Sequence, residues 1–328
     1  MRPSKLPRVP ASFFGMVLGL AGLGNAWRAA AHLWPVPKGV GELLFAIAAV
    51  VWAVLTVLFA LKWIEDRETA LAEARHGVNG GFVGLAGVAT MLIGMGALPY
   101  SRLLAEGLYW AGAGFALAYA LWRTGALWNG ERDPVEITPV LYLPAVASAY
   151  VTATAGAALG YHELAQLAFG GAVLTWFAVE SVLLNRLFKL PSMPPPLRPL
   201  LGIQMAPPTV GLVAYLSVNG GTPDLAAHML LGYGLLQTGV LLRLLPWILR
   251  QPFNASYWGF TFGLASLAGA LVRMVAHGDA GLVKAMAPLI FIAVNVAIGL
   301  IALLTVRLML KGRLLPPPAP LAESPAIG

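Results

Sequence analysis

The chain has 328 residues, of which 59% are hydrophobic and 11% charged, and its mean hydropathy is +0.77. Soluble domains carry about 25% charged residues, so this composition excludes a water-soluble globular protein and predicts an integral membrane protein. The net charge of +7 does not indicate nucleic-acid binding, because the basic residues are scattered over loops. With no cysteine, the chain cannot form disulfides, cysteine-ligated zinc sites or iron–sulfur clusters.

Apolar runs of helical length follow one another along the chain, separated by proline, glycine or charged residues. A bilayer core of about 30 Å needs about 20 apolar residues per helix, so each run predicts one membrane span. We predict a ten-helix membrane domain over 12–309, an N-terminal tail over 1–11 and a proline-rich, disordered tail over 310–328. The predicted spans are 12–33, 39–61, 78–98, 103–122, 139–159, 164–184, 200–218, 225–249, 256–276 and 281–308.

The distribution of Lys and Arg predicts the orientation of these spans. Basic residues cluster in the N-terminal tail, in the loops after every even span and at the C-terminal end, and these segments all lie on one side of the membrane. Such clusters mark the cytoplasmic side, so both termini are predicted to be cytoplasmic. The basic residues predicted on the opposite side are Arg28, Lys38, Arg102, Arg273 and Lys284.

The odd-numbered spans share a pattern that the even-numbered spans lack. Each begins with aromatic or apolar residues, continues with an early Gly or Pro and then has many small residues. The pattern recurs at intervals of about 60 residues, which is the length of one helical hairpin. We therefore predict an all-α membrane protein of five helical hairpins in a quasi-fivefold ring, with the odd helices inside, lining a pore.

Two explanations for the Gly and Pro residues remain open at this stage. They bend or thin a helix, and the freed backbone groups are tolerated in a membrane where protein or pore water satisfies them. Small residues spaced four apart, such as Gly15 with Gly19 or Gly80 with Gly84, also allow helices to pack closely. The fivefold recurrence favours a pore for the pattern as a whole.

The reactive motifs of common enzyme classes are absent from the sequence, including HExxH, the P-loop and GxSxG. We therefore expect neither an enzyme nor a bound cofactor or metal. Within the even spans, Glu180 and Arg243 lie at similar predicted depth. An intramembrane ionisable residue is a functional candidate by default, but the position of both residues on outer helices favours a structural ion pair.

The middles of the odd spans carry no Asp, Glu, Lys or Arg, whereas Arg28 and Arg273 lie near their outer ends. A neutral pore with cationic ends attracts anions without binding them tightly. A proton-coupled carrier would be expected to have a carboxylate or His at mid-depth. This pattern favours passive conduction of small anions.

Three segments resemble the tellurite-resistance and dicarboxylate transporter family, which includes the plant slow-type guard-cell anion channel. They are FFGMVLGLAGL at 13–23, YLPAVASAYVTA at 142–153 and LGYGLLQTGVLLRLLPWILRQPFNASYWGFTFGLASL at 231–267. The resemblance implies a homotrimer in which each protomer has its own pore. It also implies that Phe262 plugs this pore, and it matches Gly15, Pro144 and Pro207 to the pore wall. With their small and aromatic neighbours, the expected lining residues are Phe14, Gly15, Gly19, Gly84, Pro144, Pro207 and Gly263.

The leading prediction is a gated channel for chloride, nitrate and similar small anions in a bacterial inner membrane, in contact with lipid. A secondary transporter for C4-dicarboxylates or an exporter of tellurite-like oxyanions is the alternative, and either would show saturable flux. A membrane scaffold without flux is a third possibility, and it would have a packed core with no lumen.

Overall fold

A computed structural model describes residues 7–130 and 134–315, and all regular elements within these residues are helical. The prediction of an all-α protein is therefore confirmed for this part of the chain. Most of the predicted proline-rich tail lies outside the described residues. The helices are α1 (Phe14–Leu33), α2 (Lys38–Glu65), α3 (Arg67–Arg75), α4 (Leu85–Ala97), α5 (Arg102–Trp128), α6 (Ser148–Leu159), α7 (His162–Lys189), α8 (Ala206–Val218), α9 (Leu225–Ile248), α10 (Thr261–Ala276) and α11 (Leu282–Leu310).

Each of the odd spans consists of two parts. A short 3-10 or π-helical segment comes first, and a regular α-helix follows it. We call the first parts the lead-in segments and the helices that follow them, α1, α4, α6, α8 and α10, the inner helices. The lead-in segments are Ala11–Phe13, Asn79–Phe82, Pro139–Leu141 with Leu143–Ala147, Pro195–Met205 and Ala255–Phe260.

Eight helical stretches of the described residues are long and apolar enough to cross a membrane. Helices α1 and α5 are not among them. Polar residues lower their apolar character: α1 carries Asn25 and Arg28, and α5 carries Arg102, Glu106 and Arg123. The chain is thus a multi-pass membrane protein, and the count of ten spans stays a prediction.

Burial separates the inner helices from the remaining long helices, which we call the outer helices (α2, α5, α7, α9 and α11). In the apolar 18-residue part of each stretch that contains α4, α6, α8 or α10, between 67% and 78% of the residues are buried. The corresponding fraction is between 22% and 28% in α2, α7, α9 and α11. A helix with this much exposed apolar surface needs lipid or another apolar partner around it.

The inner helices contact one another in a closed cycle. Helix α1 packs against α4, α4 against α6, α6 against α8, α8 against α10, and α10 against α1. Each inner helix also packs against the outer helix that follows it in the chain. Small residues face each other at contacts of this cycle, as Gly22 of α1 and Ala265 of α10 do.

The lead-in before α6 shows how irregular backbone is accommodated in this setting. Pro144 lies within the π-helical turn Leu143–Ala147, and a proline interrupts the regular helical hydrogen bonds because it has no N–H. The hydroxyl of Ser148 donates to the carbonyl oxygens of Leu143 and Pro144. A nearby side chain therefore supplies a hydrogen bond to carbonyl groups of this irregular turn.

Side chains from neighbouring helices anchor other lead-in segments. Such bonds matter because 3-10 and π turns leave backbone and polar groups without their usual helical partners. The indole N–H of Trp258 donates to Thr305 Oγ1 (2.9 Å), the N–H of Ala11 donates to Glu73 Oε1 (2.8 Å), and the hydroxyl of Tyr119 donates to the carbonyl of Gly80.

Helix α3 lies in a region that was predicted to be a loop between spans. Its sequence, RETALAEAR, is rich in good helix formers but too polar to be read as a span. Asp66 caps the first turn by accepting from the N–H of Thr69 (3.3 Å). At the other end, the buried guanidinium of Arg123 donates to the carbonyls of residues 74–77, so α3 is tied to α5.

Candidate functional site

A cavity of about 600 Å³ lies among the inner helices. All five of these helices contribute wall residues. At one end the cavity reaches the loop after α8, at Gly220 and Gly221, and at the other end it reaches Phe262. Most of the wall between these ends is apolar, with Leu92 and Val151 as examples. The cavity can therefore hold a small solute but offers it few hydrogen-bonding groups.

Phe262 lies at the inner end of the cavity, by which we mean the end opposite Gly220 and Gly221. At this point of the chain the lead-in segment ends and α10 begins. It is the second residue of that helix, and its ring is half-buried. The ring lies against Gly22 of α1, so closely that a Cβ atom on Gly22 would be 3.1 Å from Phe262 Cδ2. The glycine thus provides the space in which the ring lies.

The neighbouring aromatic residue of the same motif has a different environment. Phe260 is buried and packs against Gly202 of the lead-in before α8, where an added Cβ would be 2.4 Å from the ring. It does not belong to the cavity wall. The structure therefore separates the two phenylalanines, with Phe262 at the cavity and Phe260 in helix packing.

The other predicted lining residues do not belong to the wall of this cavity. Pro144 and Pro207 are buried. Gly19 allows α1 to approach α10, and Gly263 allows α10 to approach Met205. Phe14, Gly15 and Gly84, like Gly19 and the two prolines, precede the wall residues of their spans, whereas Gly263 follows Phe262 and faces Met205. The role of all seven as pore lining stays a prediction.

Arg273 gives the cavity its positive charge. Its guanidinium donates to Ser217 Oγ (3.1 Å) and to the carbonyl of Val213 (3.4 Å), both on α8. Among the residues that form the wall there is no Asp or Glu. The charge of Arg273 is therefore not neutralised within the cavity.

Arg28, the other arginine predicted near the outer end of an odd span, is neutralised. Its guanidinium forms an ion pair with Glu42 at 2.6 Å and donates to the carbonyls of Met95 and Gly96. It also lies over the ring of Phe45. Of the two arginines, only Arg273 is thus placed to attract an anion into the cavity.

The structure does not pair Glu180 with Arg243, which corrects the predicted ion pair. Glu180 faces inward on α7, whereas the side chain of Arg243 is exposed on α9. Arg243 follows the buried Leu241 by two residues, which places it about 200° around the helix from the buried face. The similar depth of the two residues was therefore not sufficient to pair them, because Arg243 points away from the buried side of α9.

Sequence reasoning missed several polar wall residues, including Asn25 and Ser217. Gly22 was missed as well, although Gly15, Gly19 and Gly22 are spaced four and three residues apart and so share one face of α1. This spacing was the available signal. The single Asn or Ser in an otherwise apolar span offered no signal that points to a cavity.

Comparison with known proteins bears directly on these features. A family model described as a voltage-dependent anion channel, SLAC1, matches residues 8–306. The chain belongs to the SLAC1 family. The resemblance inferred from the sequence motifs is thereby confirmed.

Individual relatives of this SLAC1-family chain cover most of its length. It is 37% identical to the tellurite resistance protein TehA homolog of Haemophilus influenzae, over 93% of the chain and 92% of that relative. It is 22% identical to the S-type anion channel SLAH3 of Arabidopsis thaliana, over 82% of the chain and 43% of that protein. The SLAC1 family is one of membrane channels and transporters rather than enzymes, and both the family and the plant relative support anion transport in general.

Proposed function

We propose that the protein is a gated anion channel that conducts small anions such as chloride and nitrate through a pore inside each protomer. The five odd spans form the ring around this pore, and the outer helices surround the ring. The closed cycle of contacts among the inner helices supports this arrangement, as does the low burial of the outer helices.

One cavity combines a positively charged wall with an aromatic ring at one end, and this combination is the main support for the proposal. The wall has one guanidinium without a counter-charge, Arg273, and no carboxylate, while the inner end is formed by an aromatic ring. A positive charge in a low-dielectric cavity concentrates anions. An apolar constriction stops conduction by excluding water.

The gate in this proposal is the ring of Phe262. The ring lies against Gly22 and is half-buried, so a rotation of its side chain needs no displacement of a bulky neighbour on that side. Removing the ring should leave the constriction open. The remaining walls there are formed by small residues such as Ala265.

The test is the anion current of the wild type and of Phe262→Ala in planar bilayers under chloride and nitrate gradients. We expect a small wild-type current that rises at least tenfold in the variant, with reversal potentials that follow the anion gradient. Phe260→Ala is the matched control, because it removes a phenylalanine from the same motif without touching the cavity. An unchanged current in Phe262→Ala would refute the gate.

The same preparation distinguishes the alternative transporter. A carrier for C4-dicarboxylates or tellurite-like oxyanions would give saturable flux into liposomes and no anion current from either variant. The name of the Haemophilus relative, a tellurite resistance protein homolog, motivates the tellurite measurement in this assay. A packed scaffold would give neither current nor flux.

We also propose a homotrimer in a bacterial inner membrane with both termini cytoplasmic. The exposed apolar side chains of the outer helices, for example Leu43, Leu174 and Leu303, provide surface for lipid and for protomer contacts. Native mass spectrometry from nanodiscs should report three chains per particle.

The orientation in the membrane has its own test. Single cysteines added to this cysteine-free chain, near residue 9 and in the loop at residue 279, should react with impermeant thiol reagents from opposite sides of the membrane.

A further inference from the structure

Glu180 lies on α7, where its carboxylate is buried among neutral hydrogen-bond donors; the residue is only 8% exposed. Oε2 accepts from the hydroxyl of Tyr142 and from the indole N–H of Trp176 (2.8 Å). Oε1 accepts from the amide of Gln204 (2.9 Å) and from the hydroxyl of Tyr233. Each carboxylate oxygen thus accepts two hydrogen bonds.

This arrangement fits the charged form of the carboxyl group. An ionised carboxylate has about four acceptor positions, and here all of them are filled. A protonated carboxyl would present an O–H, and that O–H would have to displace one of the donors. Burial of a carboxylate is costly unless such bonds compensate it. The four donors therefore form an anion-binding cage that the chain's own carboxylate occupies.

The charge in the cage has no cationic partner within the described residues. Neither Arg186 of α7 nor Arg243 of α9 forms an ion pair with Glu180. All of the stabilisation that this carboxylate receives at short range thus comes from neutral donors. An ionised group held in this way can be replaced by another small anion of the same shape.

The donors come from separate elements of the fold. Tyr142 precedes the π turn before α6, and Gln204 lies in the lead-in segment before α8. Trp176 belongs to α7 and Tyr233 to α9. One carboxylate therefore joins the lead-ins of two inner helices to two outer helices. The bond between Gln204 Nε2 and the hydroxyl of Tyr142 (3.0 Å) closes the network.

We propose that Glu180 is a positioning residue that acts through its negative charge, holding the lead-in segments of α6 and α8 against α7 and α9. When the carboxylate is removed, the cage is a binding site for a small carboxylate such as formate. Helices α6 and α8 contribute wall residues to the cavity, among them Thr154 and Ser217. The position of these walls thus depends on the cage.

The first experiment uses the purified full-length chain in detergent and measures its melting temperature. Glu180→Ala empties the cage and should lower the melting temperature by on the order of 5–10 °C. Sodium formate should raise it again in a saturable manner, whereas sodium gluconate at equal ionic strength should not, because gluconate is too large for the site. Leu183→Ala, a fully buried position on the same helix, makes a cavity without donors and should show no saturable response to formate.

A second variant decides the question if Glu180→Ala does not fold. Glu180→Gln keeps the shape but presents an amide N–H₂ to the surrounding donors. It should melt well below the wild type, whereas Glu163→Gln, at an exposed position on α7, should melt like the wild type. A Glu180→Gln protein as stable as the wild type, or a Glu180→Ala protein that formate stabilises no more than it does Leu183→Ala, would overturn the proposal.

A current measurement tests the effect on the cavity. In the Phe262→Ala background, adding Glu180→Gln should lower the chloride current severalfold and adding Glu163→Gln should leave it unchanged. Equal currents in both double variants would refute the positioning role. If Phe262→Ala itself carries no current, the channel proposal fails, and the formate titration still decides the cage.

Discussion

The two halves of each odd span are held in place by different interactions. In the lead-in half, polar side chains from other helices bind the segment. Thr305 accepts from the indole N–H of Trp258, and Glu73 accepts from the backbone N–H of Ala11. In the α-helical half, small residues let the inner helices approach one another around the cavity. Phe262 lies where the two halves meet.

The difference indicates which substitutions each half tolerates. A hydrogen bond that replaces a bond to water contributes about 1 kcal/mol, and more where a charge is involved. A close-packed contact between helices leaves no room for an added atom, so a single methyl group there is costly. The α-helical half should therefore be sensitive chiefly to size, whereas the lead-in half, which is also closely packed at Gly202, should be sensitive to polarity as well.

The largest effect is expected from Gly19→Ala, which tests the packed half. The new Cβ would lie 2.1 Å from Thr261 Oγ1, and that hydroxyl is held in place by its bond to the carbonyl of Trp258 (2.8 Å). Overpacking of this kind costs about 3 kcal/mol. Thermal unfolding in detergent should show a large fall in melting temperature. Gly107→Ala on α5, with no atom within 4 Å of the new Cβ, is the control and should lose nothing.

Removing one anchor of a lead-in segment should have a smaller effect. Trp258→Phe removes the indole N–H that donates a hydrogen bond to Thr305, and Thr305→Val removes the hydroxyl that accepts this bond. Each single variant also changes packing, so the double variant is needed to isolate the bond. The free energies of unfolding should give a coupling of about 1 kcal/mol. Purely additive effects would mean that the bond contributes nothing to the lead-in.

Arg273→Gln tests the charge of the α-helical half. If the cavity concentrates anions through this guanidinium, the chloride current at low ionic strength should fall by about threefold to tenfold. The deficit should shrink at high salt, since ions screen the attraction. Lys284→Gln changes an exposed lysine outside the cavity wall and should have little effect. A deficit that did not depend on salt would argue against electrostatic attraction.

The smallest effect concerns a helix end outside the membrane. Tyr215 donates a hydrogen bond to Asp224 (2.6 Å), and this bond, with help from the N–H of Ala227, lowers the pKa of Asp224 below its ordinary value of 3.8. A lowered pKa in the folded state means that the carboxylate stabilises the fold above its ordinary pKa. That contribution is lost as the pH falls through the lowered value. The difference in melting temperature between the wild type and Asp224→Ala should therefore vanish on strong acidification.

Hydropathy located the apolar helices well but not their ends. The fourth predicted span stops at Trp122, whereas α5 continues to Trp128. Arg123 lies in this extension and is buried because it caps α3. A hydropathy profile marks the part of a helix that suits lipid, and a charged residue ends that part without ending the helix. Helix α3 was missed for the same reason.

The site was predictable only in part. Sequence patterns indicate how deep in the membrane a residue lies better than they indicate which side of its helix it faces. Phe260 and Phe262 are equivalent in composition and periodicity, and only the family motif distinguished Phe262. Glu180 was identified as an unusual buried charge, but its partner was wrong. The rotation of α9 about its axis, which turns Arg243 outward and Tyr233 toward Glu180, depends on packing that one sequence does not display.

The anchoring of lead-in segments by the same hairpin has a consequence for biosynthesis. Trp258 finds its partner Thr305 on the outer helix that the ribosome makes next, and Gly80 likewise finds Tyr119. In these two hairpins the polar group of the lead-in segment is therefore unsatisfied only while one further helix is being synthesised. Gln204 emerges after Glu180 is already in place. Tyr233, the other donor to Glu180 Oε1, is made later still, so the third hairpin completes its polar contacts only when the fourth is inserted.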